Sequence, residues 1–219
     1  VNSLVSPDIS AVLVGITALG FVTFAAVTMT SFIKIAVVLF LLRNALGIQQ
    51  TPPNIVLYGI ALLLSIYVMA PVVMSAYAAA VTAPVDHMTL SDMLDAAKRA
   101  EQPVKSFMLR FTSPGEREFF TNATMRVWGP ESGLKAQPDD LLIVLPSFLL
   151  SELQRAFEIG FLLYLPFIAI DLVVTAVLMA MGMSSVSPST IGVPLKLFLF
   201  VAITGWTRLI HGLVLSYAT

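Results

Sequence analysis

The chain has 219 residues, of which 58% are hydrophobic and only 11% charged, with a formal net charge of -1. An average soluble domain carries roughly 25% charged residues, so this composition leaves too little polar surface to cover a water-soluble globule and excludes a soluble enzyme. The near-neutral balance also excludes nucleic acid as a partner, since that needs clustered Lys and Arg.

Residues Ile9 to Ile33 carry no charge, and Lys34 is the only charge between Ile9 and Arg43. At a rise of 1.5 Å per residue the run exceeds the roughly 20 residues that cross a bilayer core. A spanning helix is predicted, with a break near Thr28-Met29-Thr30-Ser31. It is read as retained rather than as a signal peptide, because a charged leading region and a small-x-small cleavage site are missing. Gly47, suited to a left-handed cap, and the pair Pro52-Pro53 then stop the helix and predict a tight turn. From Ile55 to Val85 there is again no charge, and Pro71 inside this second span predicts a kink.

Between Asp86 and Asp140 lie seven Lys or Arg and nine Asp or Glu, punctuated by Pro103, Pro114, Pro130 and Pro138. This predicts a water-exposed insert of short helices and turns. Leu90, Met93, Leu94 and Ala97 recur at helical spacing, while Phe107, Leu109, Phe111, Phe119 and Phe120 either form a small core or dock onto the membrane part. The mixed charges read as a solvated face.

Apolar sequence resumes at Leu141 and runs to Met183, interrupted by Glu152, Arg155, Glu158 and Asp171. A charge at the bilayer centre costs about 2.5–3.5 kcal/mol on insertion scales, so this stretch is expected to pack against protein. A Ser-rich turn at 184–189 leads to the last apolar segment, Ile191 to Tyr217, which holds Lys196, Arg208 and His211. The fold class that follows is all-α: residues 1–85 form one membrane-associated helical hairpin, 86–140 the polar insert, and 141–219 a second hairpin. With four spans, the two short loops share a face. Arg43 in the first of them places that face in the cytoplasm by the positive-inside rule, and the insert outside it.

Three features carry candidate chemistry. In Glu152-Leu153-Gln154-Arg155-Ala156-Phe157-Glu158 both acids lie three residues from Arg155 and can reach it on a helix. This is either a proton relay or a buried ion-pair network that fixes register between subunits. The structural reading is favoured, and Lys34, Lys196 or Arg208 supplies the further cation it requires. Met179, Met181 and Met183 cluster just before the Ser-rich turn, where Met179 and Met183 are spaced to share a helix face as a deformable seal or as ordinary filler. His87 and His211 stand in no metal-ligand spacing and no cysteine is present, so neither a metal site nor a cofactor is expected. No phosphate loop, dinucleotide fingerprint or hydrolase elbow occurs.

Several ordered strings resemble a known family. They include Thr30-Ser31-Phe32-Ile33-Lys34-Ile35, Leu42-Arg43-Asn44-Ala45-Leu46-Gly47-Ile48-Gln49-Gln50-Thr51-Pro52-Pro53-Asn54 and Tyr67-Val68-Met69-Ala70-Pro71. Ser151 to Phe161, Tyr164-Leu165-Pro166-Phe167, Met181-Gly182-Met183, Pro194-Leu195-Lys196-Leu197 and Gly205-Trp206 extend the pattern over both apolar halves, while the insert carries little of it. The pattern is similar to that of the FliP/SctR proteins of the type III secretion export apparatus, and the ending is more like the injectisome R protein than its flagellar counterpart.

The resemblance implies a multi-subunit helical export gate in the bacterial inner membrane, with the insert on the periplasmic side. In such a gate several copies join S and T components (FliQ/SctS-like and FliR/SctT-like) and pass unfolded proteins. It also implies that much of the apolar surface is packed between subunits and lifted out of the bilayer. A pore constriction at Met179, Met181, Met183, Ser184 and Ser185 is implied, with Lys34, Glu152, Arg155, Glu158, Asp171, Lys196 and Arg208 as buried ion-pair and subunit contacts. Two departures stand out: Ser184 and Ser185 replace two methionines of the family's constriction, and Thr204 stands where Asp usually precedes Gly-Trp. A small proton-coupled transporter using Glu152, Arg155, Glu158 and Asp171 is the competing function, and a membrane-embedded hydrolase has no nucleophile motif behind it.

Overall fold

The computed structural model describes residues 9–48, 50–81, 90–129 and 137–218. Eight helices and no strand occur among them: α1 (Ile9–Thr28), α2 (Phe32–Ala45), α3 (Asn54–Ala80), α4 (Leu90–Phe111), α5 (Pro114–Val127), α6 (Leu141–Ala180), α7 (Pro188–Ala202) and α8 (Gly205–Leu215). His87 and the 85/86 boundary of the insert lie outside the described residues.

Two helices, α3 and α6, are long and apolar enough to cross a membrane, and the bent pairs α1–α2 and α7–α8 bring the total to four if each counts as one span. The expected break after Thr28 is a 63° bend, and a 62° bend between α7 and α8 divides the last apolar segment. Ser31 and Thr30 at the first bend bond to Ser65 of α3, at 3.2 and 3.1 Å, so the hydroxyls at the break find partners inside the protein. The expected turn after α2 is built by Gly47 at φ +77° and by Arg43, whose Nη1 donates to Asn54 Oδ1 at 2.6 Å and to the Pro52 carbonyl at 3.3 Å.

The core forms where α2 lies along α6. Ile35, Val38 and Leu39 of α2 meet Leu57 and Ala61 of α3, Ala156 of α6 and Leu213 of α8. Farther along, Leu42, Ala45 and Leu46 meet Phe167 of α6 and Phe200 of α7. Helix α2 comes so close to α6 at Gly160 that an added Cβ would collide with the Leu41 side chain, which explains a residue of poor helix propensity in mid-helix.

The insert docks onto the apolar part. Phe107, Met108 and Phe111 of α4 pack with Met69, Val144, Phe148 and Tyr217, whereas Phe119 is exposed. The backbone N–H of Ser113, at the start of α5, donates to Ser151 Oγ at 2.9 Å. Lys105 of α4 meets Asp139 before α6 at 3.0 Å and holds that carboxyl below its ordinary range.

Helix α6 contains 40 residues, a length of about 60 Å against a hydrocarbon core of roughly 30 Å. Fitting it wholly inside would take a tilt of about 60°, beyond the roughly 0–40° that spanning helices adopt. Part of α6 therefore stands outside the hydrocarbon.

Candidate functional site: a buried ion cluster and an exposed helix end

The centre of the molecule holds a charge cluster built on α6. Glu152 is fully buried and Lys34 of α2 is 1% exposed. Lys34 Nζ lies 3.5 Å from Glu152 Oε2, and Arg155 Nη1 donates to Glu152 Oε1 at 3.3 Å. The Tyr217 hydroxyl, just past α8, donates to Glu152 Oε2, and its ring lies under Lys34 Nζ, 3.6 Å from the ammonium to the centroid. A carboxylate in such a place is tolerated because each oxygen has a charged or hydroxyl donor. Tyr217 thus ties the end of the described chain to α2 and α6. Nothing in the sequence marks it, since a lone Tyr after an apolar helix carries no spacing signal.

The sequence makes Arg155 the hub between two acids, and the structure gives that place to Glu152. Arg155 reaches Glu152 alone, and Glu158 accepts from Gln154 Nε2 at 3.1 Å, one turn back on the same helix. The side chain of Arg155 remains 39% exposed.

A second pair lies elsewhere. Lys196 of α7 donates to Asp171 Oδ2 at 2.6 Å and to the Ala45 carbonyl at 3.3 Å, which bridges α7, α6 and the end of α2. Arg208 on α8 is exposed and has no ion pair among the described residues; His211, on the same helix, is exposed as well. Of the seven charged residues singled out in the sequence, five pair within the chain, while Glu158 and Arg208 remain at the surface.

The methionine cluster sits at the other end of α6. The helix stops at Ala180, because Gly182 takes φ +71°. Met183 N–H donates to Leu178 O and Gly182 N–H to Met179 O, each at 3.0 Å, which is the Schellman pattern. Met183 therefore lies in the turn past the cap and does not share a helix face with Met179, contrary to the expectation from their four-residue spacing. Met179 and Met181 are 68% and 64% exposed, Met183 is 38% exposed, and Ser184 and Ser185 are exposed too.

Thr204, the second departure, is the only non-glycine residue with positive φ among those described (φ 53°), and it is the N-cap of α8. A left-handed N-cap suits Asp or Asn far better than a β-branched residue.

Comparison with known proteins agrees with this architecture. The model of the FliP family matches residues 15–213. The probable translocation protein y4yL of Sinorhizobium fredii is 55% identical over 96% of this chain and 95% of its own length. The Yop proteins translocation protein R of Yersinia pestis is 45% identical, covering 96% of this chain and 97% of its own. The hypersensitivity response secretion protein HrcR of Ralstonia nicotianae is also 45% identical, over 96% and 98%. A family match along nearly the whole chain, together with full-length relatives of this kind, shows that the chain belongs to the FliP family, in its type III secretion R branch.

Proposed function

We propose that this membrane component of the type III secretion apparatus is a core structural subunit of its export gate. Several copies assemble with one another and with FliQ/SctS-like S and FliR/SctT-like T components into a channel through which unfolded proteins leave across the bacterial inner membrane. The insert lies on the periplasmic side.

The observation that carries this reading is α6. A helix of about 60 Å by its 40 residues cannot lie wholly in the hydrocarbon, yet apolar side chains are exposed over nearly its whole length, from Leu142 through Phe161 and Val173 to Met179. Apolar surface outside the bilayer needs protein to cover it. The exposed turn from Met179 to Ser185 is the constriction in this reading, where flexible side chains from several copies converge and repack around a passing chain. The placement of the acids weighs against the proton-coupled alternative, because Glu152 and Asp171 belong to separate ion pairs.

The test is the mass of the particle after mild detergent extraction from cells that also make the S and T components. A defined particle with several copies of this chain is expected. A monomer that moves a small solute when reconstituted would replace the channel with the transporter.

A further inference from the structure

The charges of the apolar helices sort into those that the chain neutralises itself and those that it does not. Lys34, Glu152 and Arg155 form one group, and Asp171 with Lys196 another. Arg43 is held by Asn54 and a carbonyl. Two opposite charges are left. Glu158 is exposed near the middle of α6 with only the neutral Gln154 bonded to it, and Arg208 is exposed on α8 with no ion pair among the described residues. Neither end of α6 is within reach of a side chain at Glu158, which lies 17 residues from Leu141 and 22 from Ala180.

Both charges also stand among apolar side chains. Glu158 lies beside a stripe of exposed side chains, Phe157, Phe161 and Leu165, at four-residue spacing. Arg208 stands at an apolar groove of about 400 Å³ between α6 and α7–α8, lined by Ile159, Leu163, Phe167, Leu209 and Leu213 among others. The stripe and the groove use different faces of α6, their centres about 150° apart at 100° per residue, with Leu162 at the groove's near edge. A contact of stripe to groove is heterologous, so successive copies form a ring or an open helix instead of a two-fold pair.

We infer that the stripe around Glu158 of one copy seats in the α6–α8 groove of the next, where Glu158 pairs with Arg208. The pairing gives the Glu158 carboxylate, which the contact desolvates, the guanidinium it lacks at home, and covers the apolar groove in one step. It rests on the assembly reading above and specifies the contact between copies within it.

The chain contains no cysteine, so crosslinks can be placed without background. Two differently tagged full-length chains, one with Glu158→Cys and one with Arg208→Cys, are expressed together with the S and T components and oxidised in the membrane. A disulfide dimer containing both tags is expected, and a single chain carrying both substitutions gives a ladder of linked copies. Charge reversal provides the second readout. E158R or R208E alone is expected to lower the yield of particles about tenfold, as juxtaposed like charges do, and E158R/R208E together to restore it. Particles of normal yield without the mixed dimer would overturn the pairing and leave the assembly standing. A closed monomeric crosslink in the double-cysteine chain would overturn it too, because the pair would then be internal. Loss with R208E that E158R does not restore would assign Arg208 to an anionic lipid headgroup in the groove. Absence of any multi-copy particle from the unmodified chain would remove the assembly reading itself.

Discussion

Glu152 is the residue on which the interior turns. Its carboxylate has no exposure and accepts from Arg155 and Tyr217 while facing Lys34, so its donors come from three parts of the chain. The partners are unequal. Lys34 is sealed in with it, and removing it leaves a buried charge with one cation at the rim; Lys34→Ala is expected to cost about 3–5 kcal/mol. Arg155 is partly solvated, which discounts its contribution, and Arg155→Ala is expected to cost about 1 kcal/mol while Lys34 and Tyr217 still hold the acid. Thermal melting of the detergent-extracted protein gives the order: Lys34→Ala well below Arg155→Ala. The reverse order would return the central role to Arg155, where the sequence spacing first puts it.

At the scale of elements, the helix boundaries follow local chemistry that the sequence displays. Gly47 ends the turn of α2, Gly182 ends α6, and Pro188 opens α7 at a position where its missing N–H costs nothing. The break between α7 and α8 is different, because Thr204 enters the left-handed region at an N-cap with its hydroxyl turned back to the Ile203 carbonyl. Thr204→Asn removes the β-branch, is tolerated in that conformation and offers a capping oxygen, so it is expected to stabilise the protein by about 1 kcal/mol. A rise in Tm of the purified chain would show it, and a fall would mean that contacts of the threonine side chain within the chain outweigh the gain.

At the scale of the whole molecule, the exposed apolar faces of α1, α3 and α6 and the exposed methionines belong to a part rather than to a finished object. In the gate reading, Met183 is held in position past the α6 cap while Ser184 and Ser185 leave space beside it. Met183→Ala is expected to raise ion conductance through closed, reconstituted assemblies, since truncation leaves a hole that no serine fills. Unchanged conductance would place the seal elsewhere along the chain.

By itself the sequence determined the helical class, the apolar stretches, the first bend, the Gly47 turn, the polar insert and the family, because runs of uncharged residues, glycines and prolines act through neighbours along the chain. It also flagged the charges that matter. Which charge meets which was a tertiary decision: Lys34 to Glu152 and Asp171 to Lys196 are joined only where α2 and α7 pack on α6, and Tyr217 entered the cluster from the far end of the described chain. The docking of Phe107 and Phe111 onto Phe148 and Tyr217, one of two outcomes open to those aromatics, was settled the same way. Spacing in sequence fixes which residues share a helix face; it takes the packing of one helix on another to decide what each face sees, and that is where a buried carboxylate finds or lacks its cation.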